Sequence, residues 1–213
     1  KQTSAPLQAA VLRLLCAIGA GPCREICALT GASMQTVTRL CKLGLLEQQE
    51  REVLRSPKQE LPPPAEPITL TDEQQTAFDG LSAQMEREKP GAALLYGVTG
   101  SGKTAVYVAL IQKALDEGRS AMLLVPEIAL TPQLLGRMTA HFGKTVAVLH
   151  SSLRVGERYD EWRRIARGEA RVVVGTRSAV FAPLQSPGLL ILDEEQEHTY
   201  KSENAPRYHA HEI

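Results

Sequence analysis

The 213-residue sequence predicts an α/β fold, a parallel sheet with helices on both faces, preceded by a small helical domain. Short apolar runs alternate with helical segments after residue 68, and such continuous apolar runs are typical of strands buried on both faces. A further observation separates the two domains. Residues 56–67 contain five prolines in twelve residues, which predicts an extended linker.

Five apolar runs predict the strands, at residues 92–96, 121–125, 146–149, 172–175 and 189–192. The predicted helices cover residues 72–85, 103–116, 131–141 and 157–167. In the last helix Trp162 has Tyr159 and Ile165 at helical spacing, which favours a core position over a ligand site. We therefore expect one sheet-based domain over residues 68–213.

Residues 1–55 predict a winged-helix domain. Apolar positions recur at helical spacing over 6–19, a short second helix ends at Gly31, and Ser33 is placed to cap a third helix over 34–44. Residues 45–57 can supply the two short strands of a wing. The third helix would present Gln35, Thr36, Thr38, Arg39 and Lys42. Because two basic residues on a recognition helix are few, contact with DNA and docking to a protein both remain open.

Charge and cysteine content limit the class of protein. The net charge is zero, but residues 1–60 hold 8 Lys/Arg against 5 Asp/Glu, whereas residues 61–213 hold 16 against 19. This mildly basic front permits a nucleic-acid contact without demonstrating one. Cys16, Cys23, Cys27 and Cys41 form no CxxC pair, which favours free thiols over a metal site. No apolar run reaches the roughly 18 residues of a membrane span, so we expect a cytoplasmic protein without membrane contact.

The motif GVTGSGKT follows the run at 92–96 and precedes a predicted helix, which is the context of a phosphate-binding loop. Its glycines let backbone amides close around phosphates at a helix N-terminus, Lys103 adds a positive charge, and the Thr104 hydroxyl can ligate Mg²⁺. We expect the whole loop to contact nucleotide: Gly97, Val98, Thr99, Gly100, Ser101, Gly102, Lys103 and Thr104.

Acidic residues follow the last apolar run. Asp193 is the expected Mg²⁺ partner and Glu194 the candidate to polarise the attacking water, although acids at a strand end can also form a solvated cap. Upstream, Gln74 lies on the helix before the phosphate loop, where an amide that donates and accepts can contact the adenine edge. A surface glutamine is the alternative.

Six segments resemble the PriA family of replication-restart helicases, also called primosomal protein N′: LYGVTGSGKTAVY, LLVPEIALTPQ, LHSSL with ERYDEW, VVVGTRSAVFAPL, LLILDEEQ and YKSENAPRYHAHEI. The resemblance covers the whole chain, and VPEIALTPQ and GTRSAVFAP distinguish this family from other superfamily 2 motors. It implies that residues 68–213 are a RecA-like first motor lobe, truncated at its C-terminal end.

The resemblance also implies which residues contact DNA. Loops at strand ends would face single-stranded DNA with Pro126, Glu127, Thr131, Gly175, Thr176, Arg177 and Ser178. Ligands bind beyond the carboxyl ends of parallel strands, and a guanidinium suits phosphate oxygens, which favours the same loops. A loop that couples DNA contact to hydrolysis would comprise Tyr200, Lys201, Arg207, Tyr208 and His209. Its tyrosines could stack on bases or pack the loop onto its own domain.

The chain departs from the family at two positions. The acidic motif usually reads Asp-Glu-Glu-His, whereas here it comprises Asp193, Glu194, Glu195 and Gln196. A polar relay through Gln196 would use an amide that cannot titrate. His211 stands where arginine is usual. Nothing corresponds to the family's N-terminal domain, zinc-binding cysteines, second motor lobe or C-terminal domain, so we expect no zinc site in this chain.

The function implied by the resemblance is ATP- and Mg²⁺-dependent 3′ to 5′ unwinding of forked DNA. The implied partners are forked and single-stranded DNA, primosome proteins and single-stranded-DNA-binding protein. We expect the 213-residue chain alone to turn over little ATP, because the arginines that a second lobe brings to the γ-phosphate lie outside it. Two alternatives remain open: another superfamily 2 translocase, such as a RecG-like or restriction-type motor, and an ATP-sensing winged-helix regulator that binds DNA without translocation.

Overall fold

The structure, a computed structural model, describes residues 5–49, 62–87, 89–98, 100–203, 205 and 207–213. The chain divides into two compact units, residues 1–53 and residues 54–213, which we call the front unit and the α/β unit. Within the described residues, no helix is both long enough and apolar enough to cross a bilayer.

The front unit contains the three predicted helices, α1 Ala5–Ile18, α2 Cys23–Thr30 and α3 Met34–Lys42. Their apolar faces meet in a small core of buried side chains formed by Val11, Ile26, Ala32 and Leu40. Burial of one apolar face per helix is what the helical spacing predicts. The four cysteines are free thiols.

One expectation for α3 is wrong, and a second is confirmed only in its position. Thr36 is buried and is not presented outwards, because it shares the inward face of α3 with Val37 and Leu40. Ser33 stands at the N-cap, but its hydroxyl pairs with the Thr36 hydroxyl at 3.2 Å and not with a backbone amide. The other presented residues, Gln35, Thr38, Arg39 and Lys42, are exposed. Residues 45–49 contain no strand and residues 50–57 lie outside the described residues, so the wing remains a prediction.

A four-stranded parallel sheet in the order β2-β3-β1-β4 forms the α/β unit. Its strands are β1 Ser120–Leu124, β2 Val146–Leu149, β3 Val172–Gly175 and β4 Pro187–Leu192. The helices are α4 Asp72–Met85, α5 Lys103–Asp116, α6 Pro132–Phe142 and α7 Val155–Ala166. The four predicted helices and four of the five predicted strands are therefore confirmed.

Alternate side chains of each strand enter two different cores. Leu123 of β1 packs in one core with Ile111 of α5 and Met138 of α6. Leu124 packs on the opposite face with Ile165 of α7. Helices thus cover both faces of the sheet, which explains why its strands are continuous apolar runs.

The strand predicted at 92–96 is wrong, because this segment has no ladder partner. Leu95 packs against a core, whereas Leu94 and Tyr96 are 79% and 90% exposed. An apolar run supplies strand propensity but cannot supply the neighbouring strand that accepts its hydrogen bonds. In the described residues the sheet ends at β4 on one side and at β2 on the other.

The core position expected for Trp162 is also wrong. Trp162 and Tyr159 are exposed, and Ile165 is the buried member of this stripe. The inward face of α7 buries Asp160 and Glu161 instead, since Glu161 is paired with an arginine on the same helix.

Candidate active site

The phosphate-loop motif forms a turn that leads into α5, whose first residues are Lys103 and Thr104. Gly102 precedes the helix with a φ of 82°, a left-handed conformation that glycine adopts without a side-chain clash. The Lys103 ammonium donates to the carbonyls of Gly97 at 2.8 Å and Val98 at 3.4 Å. A positive charge and a helix N-terminus therefore meet at this turn, where an anion would be stabilised.

Gln74 joins α4 to the loop. Its amide nitrogen donates to the Ser101 carbonyl at 3.2 Å, and its amide oxygen accepts from the Thr71 backbone amide at 3.0 Å. The second bond belongs to a capping box at the start of α4. The structure thus brings Gln74 to the loop with both ends of its amide hydrogen-bonded. Gly100 and Ser101 are exposed, and Thr99 lies outside the described residues.

Asp193 directly follows β4 and is fixed by hydrogen bonds to three elements. Its backbone amide donates to the Leu124 carbonyl of β1 at 2.9 Å. Its carboxylate Oδ1 accepts from the Tyr107 hydroxyl of α5 at 3.0 Å. Its carbonyl lies 2.6 Å from the Tyr200 hydroxyl, which is shared with the Leu124 carbonyl at 3.0 Å. Because Tyr107 is on α5, this bond connects the acidic motif to the helix that begins at the phosphate loop.

Both tyrosine hydroxyls are donors at neutral pH. Burial raises the pKa of Tyr107, and the negative charge of Asp193 raises it further. Burial also raises the pKa of Tyr200, with the charge of Asp193 as the next cause. A raised tyrosine pKa keeps the proton on the hydroxyl, so each can donate to an oxygen of Asp193.

Glu194 adopts a φ of 49°, in the left-handed region that residues other than glycine rarely occupy. Its Oε2 accepts from the side-chain amide of Gln196 at 2.8 Å, while Glu195 is exposed. Residues held in such backbone conformations are found preferentially at functional sites. The hydrogen bond from Gln196 thus reaches the carboxylate of Glu194, the candidate to polarise water. The Gln196 amide cannot itself take up or release a proton.

The oxygens near α5 fit Mg²⁺, which prefers hard oxygen ligands and is commonly held by one or two carboxylates together with substrate phosphates. In the described part of the chain, neither Asp193 nor Glu194 forms an ion pair with a lysine, arginine or histidine. No group of three or more His, Cys, Asp and Glu side chains is arranged to hold a metal among the described residues.

A cleft of about 390 Å³ lies beyond the carboxyl ends of β1 and β3. Its lining consists of Val125, Glu127, Ser151, Arg158, Thr176, Arg177, Ser178 and Thr199. It brings together four of the seven predicted DNA contacts and adds the guanidinium of Arg158, which sequence reasoning missed. The Arg158 guanidinium donates to the Ser151 carbonyl at 3.2 Å, and the Ser151 hydroxyl donates to Glu127 at 3.1 Å. Ser151 lies in the LHSSL segment and Arg158 in the ERYDEW segment. The sequence alone does not show that these two residues are in contact.

The remaining predicted DNA contacts have roles within the fold. Pro126 and Gly175 are buried. A Cβ at Gly175 would collide with the Leu149 carbonyl of the neighbouring strand, so only glycine fits. The Thr131 hydroxyl accepts from the Leu134 amide at 3.3 Å as the N-cap of α6. These contacts account for the residue types without DNA.

The predicted coupling loop packs onto the α/β unit. Tyr200 is 1% exposed, so stacking of its ring on a DNA base is excluded in this structure. Tyr208 is half-buried, with its ring edge-on to Phe181 at 4.9 Å. Lys201 and Arg207 are exposed.

Arg177 connects the cleft to this loop. Its guanidinium donates to the Thr199 carbonyl at 3.3 Å and to the Lys201 carbonyl, and lies 5.7 Å from the centre of the Tyr208 ring. At the end of the loop, the His209 and His211 rings are 3.7 Å apart. A ligand that binds the Arg177 guanidinium would compete with the carbonyls of Thr199 and Lys201, which lie on either side of Tyr200.

Comparison with known proteins identifies the family. The model of the DEAD/DEAH box helicase family matches residues 71–211. The replication restart protein PriA of Bacillus subtilis (strain 168) is 48% identical over 193 residues, which cover 90% of this chain and 24% of that protein. The PriA proteins of Synechocystis sp. (strain ATCC 27184 / PCC 6803 / Kazusa) and Chlamydia pneumoniae are 43% and 38% identical, over 85% and 98% of this chain.

The match spans only 22% to 28% of the length of these three relatives. The match to the DEAD/DEAH box helicase family, over residues 71–211, includes the phosphate loop, the acidic motif and the cleft. The chain therefore belongs to the DEAD/DEAH box helicases and, among them, to the PriA family of superfamily 2 replication-restart helicases.

Proposed function

We propose that this chain supplies the ATP-binding lobe of a helicase that unwinds forked DNA in the 3′ to 5′ direction. The observation that supports the proposal is the hydrogen bond between Tyr107 and Asp193, which connects the acidic motif to the helix that begins at the phosphate loop. A strand-end carboxylate beside a phosphate loop is the arrangement that nucleoside-triphosphate hydrolysis needs. The names of the PriA relatives support replication restart as the process.

In this proposal the loop residues 97–104 cradle the phosphates of ATP, and Lys103 transfers its hydrogen bonds from loop carbonyls to phosphate oxygens. Thr104 and Asp193 would hold Mg²⁺, which when bound would neutralise charge on the phosphate oxygens. Glu194 orients and polarises the attacking water with the carboxylate oxygen that Gln196 does not engage. Gln74 contacts adenine by exchanging its present partners for the base edge.

The cleft beyond β1 and β3 is the proposed path of single-stranded DNA. Arg158 and Arg177 offer guanidinium groups to the backbone, and the lining hydroxyls add neutral donors. Pro126, Thr131 and Gly175 shape the loops that border it. DNA would be contacted by Lys201, Arg207, Tyr208 and His209. The hydrogen bond from Tyr200 to the Asp193 carbonyl would couple that contact to the acidic motif.

For the complete protein we propose a cytoplasmic helicase that binds forked DNA and acts with primosome proteins and single-stranded-DNA-binding protein. These partners are the ones implied by the family resemblance, and the names of the PriA relatives support the process, replication restart.

Nucleotide binding provides the first test. Lys103→Ala should weaken binding of ATP with Mg²⁺ by about 10- to 150-fold, because charge-assisted hydrogen bonds are worth roughly 1.5–3 kcal/mol. Titration of a fluorescent ATP analogue measures it. The control is Lys144→Ala, which removes an exposed lysine at the amino end of β2, the opposite edge of the sheet. Equal affinities for the Lys103 variant and the unaltered chain would refute the phosphate-loop assignment.

The salt dependence of DNA binding provides the second test. If Arg158 contacts a phosphate, Arg158→Ala should reduce the slope of log affinity against log salt by about 0.7 for single-stranded DNA. Arg87→Ala is the matched control, since Arg87 is exposed and does not line the cleft. An unchanged slope for the Arg158 variant would show that Arg158 does not contact a DNA phosphate and would refute the proposal that DNA follows this cleft.

A further inference from the structure

Tyr107 is a residue of the site to which neither sequence reasoning nor the family comparison assigns a role. It follows Lys103 by four positions and Thr104 by three, so all three lie on one face at the start of α5. The helix therefore fixes the spacing between the groups expected to bind phosphate and metal and the Tyr107 hydroxyl.

The Tyr107 side chain has two separable parts. Its ring is part of a buried core, and the residue is 7% exposed. Its hydroxyl leaves this core to donate to Asp193 Oδ1 at 3.0 Å, across 86 positions of sequence. A phenylalanine would fill the same space in the core. The hydroxyl is therefore needed for Asp193 and not for packing.

The bond to Tyr107 makes the two carboxylate oxygens of Asp193 unequal. Oδ1 accepts from Tyr107, so Oδ2 is the oxygen left for a cation. The backbone of the same residue is held at its amide by Leu124 and at its carbonyl by Tyr200. With the backbone fixed, the remaining freedom is rotation of the carboxylate, which the Tyr107 hydroxyl restrains.

We propose that Tyr107 is a positioning residue for Mg²⁺, holding the Asp193 carboxylate in the orientation that binds the ion beside the phosphates. This inference rests on the proposed function. Partners that orient a metal ligand commonly contribute 10- to 100-fold to metal affinity. Tyr107→Phe should therefore raise the Mg²⁺ concentration for half-maximal nucleotide binding by about 10-fold or more, while binding in EDTA stays unchanged.

The experiment titrates Mg²⁺ into the full chain with a non-hydrolysable fluorescent ATP analogue, for the unaltered protein and for Tyr107→Phe, Lys103→Ala and Tyr159→Phe. Tyr159 is exposed and lies on α7, so its variant controls for loss of a hydroxyl elsewhere. A double variant with Asp193→Asn completes a mutant cycle. If Tyr107 acts through Asp193, its substitution should have no further effect on the Mg²⁺ requirement in that background.

The outcomes separate the inference from the proposed function. A Tyr107→Phe variant with the unaltered Mg²⁺ requirement, beside a Lys103→Ala variant that loses binding, would overturn the positioning role and leave the ATP site intact. Equal loss of binding with and without Mg²⁺ would indicate a role in folding, and it too would overturn the inference. Normal nucleotide binding by Lys103→Ala would overturn the proposed function and the inference together.

Discussion

Glu161 is the acidic residue whose loss should most destabilise the α/β unit. Its carboxylate is 6% exposed and accepts from Arg164 on the same helix, with 2.9 Å to each oxygen, and from the Val148 amide of β2 at 3.3 Å. Arg164 also donates to the carbonyls of Lys144 and Val146. This buried pair attaches α7 to a strand at the edge of the sheet.

Glu161→Gln keeps the side-chain volume but replaces one acceptor oxygen with a donor. An NH₂ group must then face either the Arg164 guanidinium or the Val148 amide, so two donors meet in a buried position. Breaking a buried pair from one side costs about 3–5 kcal/mol. Since Arg164 keeps its two carbonyl partners, we expect the lower value, about 3 kcal/mol. For a unit of this size, that lowers the unfolding midpoint by roughly 6–12 °C.

Trp162 makes the measurement specific, because it is the single tryptophan and lies on α7 beside Glu161. Its fluorescence during thermal and urea unfolding therefore reports on the α/β unit. The control is Glu169→Gln, which alters a half-exposed pair with Arg167 at 3.9 Å, where the expected cost is below about 1 kcal/mol. Equal, small losses for both variants would refute the reasoning that burial makes the Glu161 pair costly to break.

Two further predictions follow from the site and its neighbours. Glu194→Gln should preserve ATP binding yet slow DNA-stimulated phosphate release by at least about 10²-fold in the complete protein, and turnover at the unaltered rate would exclude Glu194 as the base. Gly175→Ala should lower the free energy of unfolding by about 1–3 kcal/mol, because its Cβ would collide with the Leu149 carbonyl. Gly136→Ala in α6 meets nothing within 4 Å and should instead stabilise by up to about 1 kcal/mol, so urea unfolding that ranks the two variants alike would contradict this account.

Local sequence signals predicted the helices and the chemical motifs. The helix predicted from residue 72 begins there, and the structure shows a capping box between Thr71 and Gln74 that is complete within four residues. The phosphate loop and the first turn of α5 follow from a contiguous motif. Asp193 and Glu194 follow from their place after a buried strand. In each case the interacting groups are neighbours in the chain, so the sequence contains most of the required information.

The errors at 92–96, at Trp162 and at Thr36 each concerned packing against elements distant in sequence, even where the paired residues, as with Glu161 and Arg164, are neighbours on one helix. Strand propensity at 92–96 did not reveal that no neighbouring strand pairs with it. Helical spacing at Trp162 did not reveal that the buried face of α7 includes a charged pair. The expectation that α3 presents Thr36 did not include the packing of the three helices, which places Thr36 inside.

By itself, the sequence determined an α/β domain with a phosphate-binding loop, because phosphate binding requires glycines, lysine and threonine at a fixed local spacing, and its resemblance to the PriA family implied a helicase. Only the tertiary structure decided how the motifs meet. Tyr107 reaches Asp193 across 86 positions, and Arg158 enters the same cleft as Arg177. The order of parallel strands decides which carboxyl ends become neighbours, and that order depends on packing of the whole sheet and not on any local pattern.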